Sequence, residues 1–188
     1  MQKPQGYDDV QLGDFTPVEL GGHHMIIKAV KEQQTKTGDP MIVVAFDFAD
    51  DDVQPHYFAD QFDKDIRPDK KWPFNGTKYI MTMDYKDKTK TSRDFKRFIT
   101  SVEHSNNILV EWGDKFCEQF KGKKVGGVFG IVEEEYNGKI QRRHQLRWFC
   151  DYEKSQDANV PDPKLLETPG DVVSVPVADP GLDAVPFL

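Results

Sequence analysis

Between Lys123 and Asp151 the chain reads KKVGGVFGIVEEEYNGKIQRRHQLRWFCD, two β-type runs on either side of Tyr136-Asn137-Gly138. An Asn-Gly pair between such runs is the strongest short-range hairpin signal, because both residues accept positive φ. The first run carries Val125, Val128, Phe129, Ile131 and Val132, interrupted by Gly126, Gly127 and Gly130. Glycines inside a strand mark sharp bending or close backbone approach, as at a barrel corner. The second run alternates. Strict period-2 geometry puts Gln141, Arg143, Gln145, Arg147 and Phe149 on one face and Ile140, Arg142, His144, Leu146, Trp148 and Cys150 on the other. The hairpin therefore has a basic side with aromatics at its end.

The preceding chain supplies the rest of a sheet. Residues 1–20 are polar and turn-rich and read as an N-terminal arm, packed loosely over a barrel mouth. Gly22 to Gln33 is strand-like, a turn cluster follows at Thr35–Pro40, and Met41 to Ala49 (MIVVAFDFA) is the most strongly β run in the chain. His56 to Phe62 reads as a third short strand with Tyr57 and Phe58 on opposite sides, and Lys78–Tyr85 as an additional one. The period then changes. Phe95, Phe98, Ile99 and Val102 fall at i, i+3, i+4 and i+7, so Thr91 to His104 is expected as a helix, with Thr91 and Asp94 as a capping pair. A weaker helix is expected from Gly113 to Phe120, ended by Gly122.

Three strands, a helical connection and two strands is the order of an OB-fold, a five-stranded Greek-key barrel. The expected fold is mainly β: an OB-like barrel over residues 21–154 with a helical insert between strands 3 and 4. An SH3-like or other small barrel is the structural competitor. From Ser155 to Leu188 six prolines and scattered apolar residues predict a disordered tail.

Charge sharpens the division. The net charge is −7, but six carboxylates against Lys164 put −5 on residues 155–188 and leave −2 for the other 154 residues. A near-neutral body with an acidic tail fits a polyanion-binding domain that carries its own electrostatic competitor. Cys117 and Cys150 form no metal-type pair, which favours a reducing, cytoplasmic compartment. No apolar run reaches membrane-spanning length, and the N-terminus lacks the apolar core of a signal peptide.

Single-stranded nucleic acid is held by cations that track phosphates and by aromatic faces that stack on bases. The candidates for stacking are Phe46, Phe48, Tyr57, Phe58, Trp72, Tyr79, Trp148 and Phe149; those for phosphate contact are Lys28, Lys31, Lys36, Arg142, Arg143 and Arg147. Aromatics on strands are ordinarily core, and the arginines could equally pair with Glu133 or Glu135 across the hairpin. Asp47, Asp50, Asp51, Asp52, Asp60 and Asp63 raise the alternative of a metal-dependent nuclease, at irregular spacing and partly in a turn that favours aspartate anyway. The five histidines have no zinc-type spacing, and Gly126–Gly130 is neither a phosphate loop nor a dinucleotide fingerprint. No catalytic constellation is present in the sequence, so the expectation is a non-enzyme without cofactor. An adaptor whose barrel binds protein stays open beside it.

The runs Tyr85-Lys86-Asp87-Lys88, Phe95-Lys96-Arg97-Phe98-Ile99, Glu103-His104-Ser105-Asn106 and Gly122 to Gly130 resemble a family of bacteriophage replication and recombination proteins. That family is regarded as OB-fold single-stranded DNA-binding proteins, and the resemblance covers roughly Gly22 to Lys154. It implies a phage-encoded protein acting in the host cytoplasm. The ending Asp183-Ala184-Val185-Pro186-Phe187-Leu188 is similar to the acidic Asp-(Ile/Val)-Pro-Phe tip of bacterial single-stranded DNA-binding proteins, which docks on replication and repair partners. Here one acidic residue stands near the end where those tips have several, and Leu188 follows the phenylalanine. The resemblance implies that Asp183, Val185, Pro186, Phe187 and Leu188 engage partners through an apolar pocket with a basic rim. Single-stranded DNA and replication or recombination proteins are the expected partners; a homodimer is compatible with these patterns.

Overall fold

The computed structural model describes residues 16–166. Five strands, β1 (Gly21–Gln34), β2 (Pro40–Phe48), β3 (Thr77–Met81), β4 (Lys124–Tyr136) and β5 (Lys139–Cys150), form one antiparallel sheet in the order β3-β2-β1-β4-β5. Three helices accompany it: α1 (Tyr57–Lys64), α2 (Arg93–Asn106) and the single turn α3 (Tyr152–Ser155). The sheet is built from two hairpins joined through their first strands. Gly21–Ile26 of β1 pair with Lys124–Phe129 of β4. At the β4–β5 turn Asn137 and Gly138 have φ of 51° and 71°, the conformation for which the Asn-Gly pair was expected.

β3 and β5 are the edges, and a side chain links them. Lys78 Nζ donates to the Leu146 carbonyl at 2.8 Å. Burial, aided by the charges of Lys164 and Arg147, pushes the Lys78 pKa down, against the opposing pull of Asp94. Helix α2 packs against β3, β4 and β5, and the 3-10 turn at Phe74–Gly76 packs against β2 and β5. The core lies between the sheet and α2. Phe46 meets Phe58, Phe129 and Phe149 edge-on at 5.6–6.1 Å, and Phe98 meets Phe149 at 4.9 Å. Each fully buried phenylalanine contributes about 1.5–3 kcal/mol. Among the described residues no helix is long and apolar enough to cross a membrane.

Three expectations are corrected. The third strand is Thr77–Met81, not His56–Phe62, which folds as α1. This helix starts at His56 in the left-handed region without a side-chain cap of its own; the amide of Phe58 donates instead to Asp47 Oδ1 of β2 at 2.9 Å. A carboxylate eleven residues upstream thus supplies the cap that local sequence lacks. The helix expected over Gly113–Phe120 is reduced to a 3-10 turn at Glu118–Phe120. α2 forms where the apolar stripe required it, but its N-cap is Ser92 and no Thr91–Asp94 side-chain cap is made.

The chain expected to leave the sheet at Ser155 instead stays against it through the last described residues. Ser155 is buried, Arg147 Nη1 donates to the Asp162 carbonyl at 2.9 Å, and Lys164 exchanges backbone hydrogen bonds with β4 through Ile131 and Glu133. Val132 and Lys164 form a parallel bridge, so this strap takes up the β4 edge beyond its pairing with β1. At the other end Val18 is buried, and Gln54 bonds to Glu19 N and the Pro17 carbonyl, fixing the arm's last residues to the loop between β2 and α1. Residues 1–15 and 167–188 lie outside the described residues.

The strap's course is conditional on Gly22. A Cβ there would stand 1.5 Å from the Ser155 carbonyl oxygen. Gly22→Ala is therefore expected to cost about 1–3 kcal/mol by overpacking, with faster proteolysis beyond Tyr152. Urea unfolding and limited proteolysis check this, and unchanged midpoint and cleavage would contradict the close approach.

Candidate nucleic-acid interface

The apolar stripe of α2 faces the core, so its other side is free to be polar. Arg93, Lys96, Arg97 and His104 lie there, along an open groove of about 730 Å³ whose far wall is Trp148 to Asp151 and whose end is Lys154. Four permanent cations face one carboxylate. Asp151 accepts from Lys154 Nζ at 2.7 Å and lies 3.3 Å from His104 Nδ1. The Lys154 hydrogen bond, seconded by that of His104, holds the Asp151 carboxyl below its usual range against the effect of burial. Arg97 is 3.9 Å from Asp94, an exposed pair that contributes little. Half-buried Trp148 adds an aromatic surface beside these charges.

A second groove, of about 310 Å³, lies between α1, the Phe74–Gly76 turn and β5. Tyr57, Phe62 and Phe74 provide rings, and Arg67, Lys71 and Arg143 provide charge. Arg67 grips Asp65 through three contacts of 2.6–3.0 Å, and that hydrogen bonding holds the Asp65 carboxyl down at about 2. Tyr57 donates its hydroxyl to the Thr16 carbonyl at 2.7 Å, and burial pushes its pKa up. Arg143 bonds Gln141 at 3.1 Å and stands 3.7 Å from Glu134.

Of the residues expected at the interface, Trp148 and Phe149 line the first groove and Tyr57, Phe58 and Arg143 the second. Trp72 borders the second, packed 5.7 Å from Phe62 with its indole N–H on the Gly76 carbonyl. Four stacking candidates are corrected. Phe58 is 0% exposed, Phe48 1% and Phe149 3%; all belong to the core, and Phe48 stacks on His23 at 4.2 Å. Phe46 is likewise buried. Arg147 holds the strap rather than standing open on the strand surface. Arg142 donates to Glu133 at 2.9 Å across the hairpin. Lys28 sits at a bulge in β1, 3.7 Å from buried Asp47, while Lys31 lies farther along β1 and Lys36 in the turn after it. The tip residues Asp183, Val185, Pro186, Phe187 and Leu188 lie outside the described residues.

Sequence reasoning passed over Arg93, Lys96, Arg97 and Lys154. The first three were legible: they occupy i, i+3 and i+4 on the side of the helix opposite the stripe already identified. Among the aspartates weighed for a nuclease, three have structural tasks. Asp47 receives the amides of Phe48 and Phe58, Asp52 those of His24 and Gln54 with His23 Nδ1 beside it at 2.9 Å, and Asp51 the Tyr152 hydroxyl. Among the described residues no three His, Cys, Asp or Glu side chains are grouped as metal ligands. No family model matches the chain, and no curated protein does.

Cys150 reports on the larger groove. Burial, with the charge of Asp151, pushes its thiol up to about 11. Only the thiolate reacts with iodoacetamide, so at pH 8 about one thiol in a thousand is reactive. Because the folded pKa is raised, alkylation of Cys150 is expected to climb about tenfold per pH unit from 8 towards 10. Mass-spectrometric peptide mapping of the folded protein checks this, and rapid labelling at pH 8 would contradict the burial.

Proposed function

We propose that this protein binds single-stranded DNA without strong sequence preference in the groove between α2 and β5, in the replication or recombination of a phage. The observation that carries the reading is Trp148 set among Arg93, Lys96, Arg97 and Lys154. Cations spaced along an open groove suit a run of phosphates, and an indole beside them suits a base, whose π-face is common to all four nucleotides. Two features support it. The open five-stranded order with α2 between β3 and β4 is compatible with an OB barrel, whose closure would fall at the β3–β5 seam where Lys78 meets Leu146. The phage-family and C-terminal-tip resemblances point to the same activity. In this reading the acidic tail recruits replication or recombination enzymes through Asp183, Val185, Pro186, Phe187 and Leu188. A protein-binding adaptor is the second reading, favoured by Leu109 and Trp112, which are 84% and 68% exposed on the loop after α2.

Anisotropy titration of labelled oligo(dT) separates them. Binding is expected to prefer single strand over duplex and to weaken with salt, because released counterions drive it. Trp148→Ala is expected to lose roughly 1–3 kcal/mol, the worth of one stacked base, and Lys96→Glu with Arg97→Glu to lose more. No binding at low salt would overturn the proposal and favour the adaptor.

A further inference from the structure

We infer that one DNA strand occupies both grooves, running along the seam between β3 and β5 from Arg143 to Trp148. This rests on the single-stranded DNA reading and extends it to a second subsite. Both grooves combine rings with cations, and β5 walls both. Arg143 and Trp148 are five residues apart on that strand, roughly 16 Å at about 3.3 Å per residue, shortened by the bulge between them. Between them Lys78 Nζ of β3 reaches the Leu146 carbonyl of β5, so the two edge strands meet along this stretch. The α1-side groove is the smaller and the more neutralised, Arg67 being paired with Asp65 and Arg143 lying near Glu134. It therefore adds length-dependent affinity to a strand anchored at α2, and is not a primary site. Phe74, 44% exposed, is the ring best placed to meet a base there.

The test uses the full-length protein and oligo(dT) of graded length, read by anisotropy, with Arg143→Ala, Phe74→Ala and the Lys96→Ala/Arg97→Ala double variant. Unchanged urea midpoints confirm that the substitutions leave the fold intact. With oligomers of about four nucleotides, the lower end of single-barrel site sizes, Arg143→Ala and Phe74→Ala are expected to bind within twofold of the parent. With about twelve nucleotides they are expected to lose at least fivefold. The double variant is expected to weaken binding at every length. If Arg143→Ala and Phe74→Ala match the parent at all lengths while the double variant loses binding, the continuous path is wrong and the DNA reading stands. An equal loss at all lengths would also overturn the path, by making the two grooves parts of one short site. If no variant changes binding at any length, the DNA-binding groove is wrong and the path fails with it.

Discussion

A single extra residue in β5 decides what the end of the sheet presents to solvent. Trp148 pairs with Val128 and Leu146 with Phe129, which leaves Arg147 unpaired as a bulge. Alternation would otherwise place Leu146 and Trp148 on the same face. With the bulge, Leu146 and Phe149 both turn into the core, Phe149 meets Phe98 of α2, and Trp148 is turned towards the groove. The bulged arginine lies over Gly130, where a Cβ would stand 3.1 Å from Arg147 Cγ, and reaches the strap. Core, groove and strap thus share one irregularity, in keeping with the tendency of bulges to re-aim side chains near functional sites.

The strap and the arm give this small sheet additional cover. Ser155 packs where Gly22 has no side chain, and Lys164 continues the ladder along β4. The arm's Val18 carbonyl is hydrogen-bonded to His144 Nδ1 of β5. An uncovered strand edge invites pairing with other chains, and the strap covers part of one. At its last described residue the Leu166 amide donates to Glu133 Oε2 of β4.

Legibility in the sequence followed the range of the forces involved. The Asn137-Gly138 hairpin, β1, β2 and α2 were readable because turn chemistry and periodicity act within a few residues. α1 was not, because its start is capped by Asp47 from another strand, and the alternating Tyr57–Phe58 pair imitates a strand. Phe149 and Trp148 exchanged faces because nothing local marks Arg147 as a bulge. The strap was hidden for a similar reason: prolines exclude a central strand, but Lys164 makes its bridge with ordinary backbone amides. Of the candidate interface, Trp148, Tyr57 and Arg143 were legible as residue types. Their company was not, since it depends on α2 packing beside β5.

The two grooves both abut β5, and each sets aromatic rings beside cations. The chain's three tryptophans distinguish its parts: Trp148 in the main groove, Trp72 at the border of the smaller one, and Trp112 on the exposed loop. The most direct measurement is photocrosslinking of 5-iodouracil-substituted oligo(dT) to the full-length protein, with adducts located by peptide mass spectrometry. The account predicts an adduct at Trp148. Adducts confined to Trp112 or to Tyr79 on β3, with Trp148 unmodified, would contradict it.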